Sequence, residues 1–91
     1  MQLNLNKQLK DLTGKDVEGA TLGEIVANHL VQGAEGDPLK FYGWGIKLTA
    51  KEPITLDESD KQTLKAFVSN AKQLPILVKA QVLQELIDQA T

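Results

Sequence analysis

Residue types that build functional sites in many proteins are missing or scarce in this 91-residue chain. There is no cysteine, which excludes disulfides, thiolate metal sites and cysteine nucleophiles. There is no arginine, because all ten basic residues are lysines, so the planar fork that reads guanine edges and clamps phosphates is absent. The single histidine, His29, would need carboxylates to supply most of the ligands of a metal site.

Long apolar runs and strong charge are also absent. No stretch of about 18 apolar residues predicts a membrane-spanning helix, and no apolar segment after Met1 predicts a signal peptide. Ten lysines against twelve acidic residues give a net charge of −2, spread evenly over both halves of the chain. We therefore expect a single domain, residues 1–91, with no membrane partner and little capacity for sequence-specific nucleic-acid binding.

The first twenty residues favour a strand or a small hairpin. Leu3 and Leu5 alternate with polar neighbours, which is the pattern of a half-buried strand. Residues 11–17 place a glycine between two aspartates and two apolar residues, and this composition predicts a tight turn. We expect Leu12 and Val17 to face inward on either side of that turn.

Capping residues and apolar spacing predict four helices, near residues 21–32, 38–50, 58–71 and 75–90. The first begins with the capping box Thr21-Leu22-Gly23-Glu24 and ends at Gly33, which we expect in the left-handed conformation. Asp57 caps the third helix, and a proline opens the fourth. The expected fold class is α+β and mostly α, with a short N-terminal strand or hairpin followed by four helices packed as two antiparallel pairs.

The segment 38–50 fits two structures. Asp37-Pro38 is a helix start signal, yet residues 41–48 also alternate as a strand does, and two glycines inside a helix cost about 1 kcal/mol each relative to alanine. As a helix, the segment is apolar on two almost opposite sides, with Leu39, Tyr42, Gly43, Ile46 and Ala50 on one and Phe41, Trp44 and Leu48 on the other. Such a helix is either sandwiched in the core or shows an aromatic patch to a partner.

Three of the four aromatic residues fall within four positions of this segment. Buried aromatic side chains dominate the energetics of protein interfaces. We therefore take Phe41, Tyr42, Trp44 and Leu48 as the candidate protein-binding residues, with packing in the core as the competing interpretation.

Lysines of the third and fourth predicted helices form an alternative site. Lys61, Lys65 and Lys72 lie near one edge of the third helix, at spacings of four and seven, and Lys79 lies inside the apolar arc of the fourth. A lysine stripe of this kind is able to follow a phosphate backbone, which would make the chain a nucleic-acid-binding protein. A solvated helix face is the competing interpretation.

No set of residues predicts an enzyme. His29 falls on the apolar face of the first helix, where a partly buried, hydrogen-bonded histidine is expected, and no acid–base partner lies near it in sequence. The acidic cluster at residues 57–60 lacks the ligand spacing and the central glycine of a calcium loop, and helix capping explains it. We expect no catalytic residues, no cofactor and no metal.

The order of motifs resembles a group of small phage- and prophage-encoded proteins. The matching segments are the turn Asp-Leu-Thr-Gly-Lys-Asp-Val at 11–17 and the helix Thr-Leu-Gly-Glu-Ile-Val-Ala-Asn-His-Leu at 21–30. They continue with a helix near residues 39–48, the segment Ile-Thr-Leu-Asp-Glu-Ser-Asp at 54–60 and the proline-started helix Pro-Ile-Leu-Val-Lys-Ala-Gln-Val-Leu at 75–83. The resemblance spans nearly the whole sequence. It implies a phage origin, a cytoplasmic location in a bacterial host and a helix at 38–50, and it supplies no catalytic residue and no reaction.

These observations favour a non-enzymatic phage accessory protein that acts through protein–protein interaction. The interaction would serve self-assembly, morphogenesis or modulation of a host protein, so the expected partner is a phage or host protein or a second copy in a homo-oligomer. The alternative is nucleic-acid binding through the lysine stripe.

Overall fold

The computed structural model describes residues 1–33 and 36–89, which form short strands and four helices. In chain order the elements are β1 (Gln2–Leu3), β2 (Gln8–Lys10), β3 (Asp16–Thr21), α1 (Leu22–Gln32), α2 (Pro38–Thr49), β4 (Ile54–Thr55), α3 (Glu58–Asn70) and α4 (Ile76–Gln89). The expected fold class, α+β and mostly α, is confirmed. Position 90, the predicted end of the fourth helix, lies outside the described residues.

The helices pack as two consecutive pairs, α1 with α2 and α3 with α4. The first turn of α1 lies beside the last turn of α2, because a Cβ built on Gly23 would be 3.4 Å from the carbonyl oxygen of Leu48. The end of α3 lies beside the start of α4, where Lys79 Nζ donates to the carbonyl oxygen of Ser69 at 3.5 Å. The neighbours in each pair therefore run in opposite directions, as predicted.

Three helices begin at the capping residues that the sequence marks. The hydroxyl of Thr21 accepts from the amide of Glu24, and the Glu24 carboxylate accepts from the amide of Thr21, which completes the capping box. The side chains of Asp37 and Asp57 accept from backbone amides in the first turns of α2 and α3. These bonds satisfy donors that a helix start otherwise leaves unpaired, which is why the predicted starts agree with the structure.

The predicted left-handed end of α1 at Gly33 is wrong. Gly33 has φ −75° and ψ 159°, so it is extended and lies where any residue is allowed. The left-handed glycine is Gly36, with φ +104°, immediately before the cap of α2. A Cβ at Gly36 would lie 2.5 Å from the ring of Phe41, so the unusual backbone belongs to the start of α2 and not to the end of α1.

Strands β2 and β3 form the N-terminal hairpin, with Gln8 opposite Thr21. Its turn is held by Asp11, whose carboxylate accepts from the amides of Thr13 at 2.8 Å and Lys15 at 3.1 Å. Gly14 in this turn has φ +86°, a conformation that favours glycine. The predicted turn is therefore confirmed.

The expectation that Leu12 and Val17 face inward is wrong. Leu12 is 95% exposed and Val17 is 37% exposed. Every residue from 11 to 20 is exposed, so the hairpin turn and most of β3 lie at the surface. Apolar residues beside a turn indicate a strand pair, but they do not show whether another layer covers that pair.

Strand β1 pairs antiparallel with β4. Leu3 lies opposite Ile54, and both side chains are fully buried. Leu5, which completes the predicted alternation, is also fully buried. These residues join one apolar cluster to which all four helices contribute. The N-terminal strand β1 and the strand β4 therefore meet inside a single core.

Two glutamines of α4 hold the N-terminal segment against the helices. The Gln81 amide group donates to the carbonyl oxygen of Lys10 at 2.7 Å and accepts from its amide at 3.0 Å. Gln89 makes the same two bonds with the backbone of Asn4, at 2.9 Å and 2.7 Å. Each side chain therefore pairs with backbone as a neighbouring strand would. Over the described ranges, no helix is both long enough and apolar enough to cross a bilayer.

Candidate protein-binding surface

One apolar face of α2 is buried in the core. Phe41, Trp44 and Leu48 are 5%, 7% and 2% exposed. The Phe41 ring stacks on Trp44 with centroids 5.6 Å apart and meets Phe67 of α3 edge-on at 5.4 Å. Three of the four candidate protein-binding residues are therefore core residues, because their side chains are buried between α2 and its neighbours. Tyr42 is the one that faces solvent.

The opposite apolar face of α2 is exposed. Leu39, Tyr42 and Ile46 are 84%, 62% and 53% exposed, and Val31 of α1, at 51%, lies next to them. We call these four residues the α1–α2 apolar surface. The sequence identified the face of α2 that carries Leu39, Tyr42 and Ile46, but it did not identify Val31, because the apolar spacing of α1 places its core residues on another side of that helix.

Two shallow grooves, each of about 400 Å³, meet on this surface. Val31 and Tyr42 line both grooves, one of which extends to Leu39 and the other to Ile46. None of the described residues that line either groove is a lysine, aspartate, glutamate or histidine. The centres of protein interfaces are depleted of charge and enriched in tyrosine, so the composition of this surface matches that of an interface core.

The four candidate lysines do not share one face. Lys61 and Lys65 line a groove of about 290 Å³ between α3 and α4, and Lys61 forms an ion pair with Glu58 one turn earlier. Lys72 lies beyond the last residue of α3, so the predicted helical stripe stops before it, and it lines a different groove. Lys79 Nζ donates to a backbone carbonyl at the end of α3. The structure therefore groups Lys61 with Lys65 and separates the other two.

His29 is half-buried and engaged within its own helix. Its Nδ1 lies 3.1 Å from the carbonyl oxygen of Ile25, one turn earlier. A carbonyl oxygen only accepts, so Nδ1 carries the hydrogen in this contact. The expected hydrogen-bonded histidine is confirmed. In the part of the chain that the structure describes, no group of three or more histidine, aspartate and glutamate side chains is arranged to hold a metal ion.

The acidic cluster at residues 57–60 caps α3, as expected, and it also joins α3 to α2. The Asp60 carboxylate accepts from the Asp57 amide at 3.2 Å and from Lys40 Nζ at 2.5 Å. The bond from Lys40, reinforced by the Asp57 amide, holds the pKa of Asp60 below its ordinary value, and the same bond raises the pKa of Lys40. The sequence did not predict this pair, because twenty residues separate its members.

Comparisons with protein-family models, curated proteins and solved structures gave no match to this chain.

Proposed function

We propose that this protein is a non-enzymatic accessory protein that binds another protein chain through the α1–α2 apolar surface. The observation that carries the proposal is that four large apolar side chains, 51–84% exposed, meet on one uncharged face. Contiguous exposed apolar patches are typical of protein interaction sites.

The exposed area determines what kind of partner fits. The four exposures together equal about 2.5 fully exposed side chains, whose burial contributes about 4–7 kcal/mol at about 1.5–3 kcal/mol per side chain. Association costs about 4–15 kcal/mol in lost freedom of motion. Stable binding therefore requires a partner that buries apolar surface of its own, and an exposed apolar helix face meets that requirement.

The sequence resemblance supplies the biological setting of the proposal. It supports a phage-encoded accessory protein that meets a phage or host protein in the cytoplasm of a bacterial host. Self-assembly, morphogenesis and modulation of a host protein all use the same surface, so the proposal is tested first at the surface itself.

Photo-crosslinking from the surface tests the proposal. We expect Tyr42→benzoylphenylalanine, added to an extract of cells that produce the protein, to give a saturable adduct of one defined mass. Leu12→benzoylphenylalanine is the matched control, because Leu12 is also exposed and apolar but lies on the hairpin turn. Adding Ile46→Asp should remove the Tyr42 adduct. Equal labelling from both positions, or an adduct that is insensitive to Ile46→Asp, would contradict the proposal.

Nucleic-acid binding is the second candidate, supported by the exposed side chains of Lys65 and Lys72. Phosphate contacts require affinity to fall steeply as salt rises. A gel-shift series with mixed DNA and RNA tests it, and Lys65→Gln with Lys72→Gln should weaken any complex at low salt. Absence of a shift at low salt would reject this candidate.

A further inference from the structure

Gly43 is a helical glycine whose presence the packing of one chain does not explain. Glycine is unfavourable in a helix relative to alanine. At Gly45, two residues later, a Cβ would lie 2.9 Å from Val31 Cγ1, so the Val31 side chain would have to move. A Cβ on Gly43 would meet no atom of the described residues within 4 Å. The exposed side of α2 thus keeps an unfavourable residue next to Tyr42 of the α1–α2 apolar surface.

Gly43 belongs to a stripe with the spacing by which helices pack against each other. Leu39, Tyr42, Gly43 and Ile46 occupy positions i, i+3, i+4 and i+7 of α2, and all are exposed. The missing side chain leaves a gap beside the tyrosine ring. When helices pack, ridges of one enter the grooves of the other, so this gap fits a large side chain on a facing helix.

The stripe is complementary to the same stripe of a second copy that runs in the opposite direction. If two α2 helices run antiparallel about a two-fold axis between positions 42 and 43, Leu39 of each copy faces Ile46 of the other. In the same arrangement Tyr42 of each copy faces Gly43 of the other. Each aromatic ring then enters the gap that the other copy leaves open, as a self-complementary interface requires.

The absence of charge favours the same partner. A two-fold axis brings the same patch of both copies together, so a charged residue inside the contact would lie near a like charge of the other copy. The described residues lining both grooves carry no such group. A different protein would commonly be selected by complementary charge, and the described residues that line the two grooves offer none. We infer that the α1–α2 apolar surface binds a second copy of this chain through antiparallel contact of the two α2 helices, an inference that rests on the proposed function and names its partner.

The small contact area determines the protein concentrations at which dimerisation has to be measured. Helix α2 has twelve residues and is therefore about 18 Å long, so the contact lies at the small end of specific interfaces. We expect a reversible monomer–dimer equilibrium with a dissociation constant in the micromolar range or weaker. Sedimentation equilibrium of the full chain from about 10 μM to about 1 mM covers that range.

Gly43→Leu tests the gap directly. It should weaken dimerisation at least about tenfold by filling the space that the opposing tyrosine needs. Its melting temperature at high dilution should not fall, because the added side chain meets open space and leucine favours a helix. Ala80→Leu is the matched control, since it adds leucine at an exposed small residue of α4 and should leave the equilibrium unchanged.

A mixing experiment tests the register. Leu39→Glu and Ile46→Lys should each weaken dimerisation when studied alone. Mixed together, the two variants should form a heterodimer more tightly than either forms a homodimer, because one contact becomes a carboxylate–ammonium pair and the other stays apolar. No gain on mixing, or equal weakening by Gly43→Leu and Ala80→Leu, would overturn the two-fold arrangement.

Failure of the inference is distinguishable from failure of the proposed function. A wild-type chain that stays monomeric up to about 1 mM overturns the second copy as partner. If the Tyr42 crosslink then joins one different protein and is lost with Ile46→Asp, the proposed function stands without this inference. If no specific crosslink forms either, both are rejected.

Discussion

Truncation of Trp44 and truncation of Tyr42, two aromatic residues of α2, should change the stability of the fold by very different amounts. Trp44 is 7% exposed and stacks on Phe41, whereas Tyr42 is 62% exposed. Replacing a buried tryptophan by alanine removes packing and leaves a cavity, which destabilises a fold by about 3–5 kcal/mol. Replacing an exposed residue changes stability by about 0.5 kcal/mol or less. We therefore expect Trp44→Ala to be strongly destabilising and Tyr42→Ala to be nearly neutral.

The expected loss is large for a chain of this length. A 91-residue domain has a free energy of unfolding of about 5–14 kcal/mol. At about 4–8 °C per kcal/mol, Trp44→Ala should lower the melting temperature by about 12–40 °C. Urea unfolding at high dilution, followed by far-UV circular dichroism, is the appropriate assay, because Trp44 is the only tryptophan and its removal abolishes the fluorescence signal.

Dimerisation should show the reverse order, because it depends on the exposed ring of Tyr42 and not on the buried ring of Trp44. Tyr42→Ala removes the exposed ring and should weaken dimerisation, whereas Trp44→Phe keeps an aromatic ring in the core and should leave dimerisation unchanged. Similar losses of stability in Tyr42→Ala and Trp44→Ala would refute the assignment of buried and exposed faces of α2. A stable fold in Trp44→Ala would refute it as well.

Three further predictions concern the remainder of the fold. The bond from Lys40 lowers the pKa of Asp60 in the folded protein. The stabilisation that this bond gives the fold is therefore present above the ordinary pKa of 3.8, and it is lost as pH falls through the pKa of Asp60 in the folded protein. Asp60→Asn should lower the melting temperature at neutral pH and flatten its decline below about pH 4, and an unchanged acid decline would contradict this. Thr21→Ala should destabilise by about 1 kcal/mol in urea unfolding, because it removes the capping box of α1. Leu12→Ser should change stability by about 0.5 kcal/mol or less, since its side chain is 95% exposed, and a larger loss in the same assay would show that the hairpin turn packs on the core.

The sequence predicted the helices well because their signals are local. A cap and the amides that it satisfies lie within three residues of each other, as in Thr21 with Glu24 and Asp57 with Asp60. Such bonds form in the same way whatever the helix later packs against. The turn at residues 11–15 was predictable for the same reason, since Asp11 accepts from amides two and four residues ahead.

Long-range pairing was not predictable, because its partners carry no mutual signal in the sequence. Gln81 and Gln89 bind backbone groups 71 and 85 positions away, and Lys40 reaches across twenty residues to Asp60. The candidate site was only partly predictable for the same reason: the sequence predicts its helix, but the contact of Phe41 with Phe67 of α3 depends on how the helices pack. When a helix has two apolar faces, the sequence alone does not indicate which face the neighbouring helices cover.

Once the packing of the four helices is known, the two glycines of α2 indicate which sides of α2 another helix can approach closely. At 100° per residue, positions 43 and 45 point about 200° apart, so they report on nearly opposite sides of the helix. Each weakens the helix relative to alanine, and Gly45 is compensated by the close approach of α1 at Val31. By the same reasoning, Gly43 is compensated when a second helix approaches the side that one chain leaves open. Gly43→Ala should therefore stabilise the isolated chain and weaken its dimer, a combination of signs that simple helix propensity does not produce.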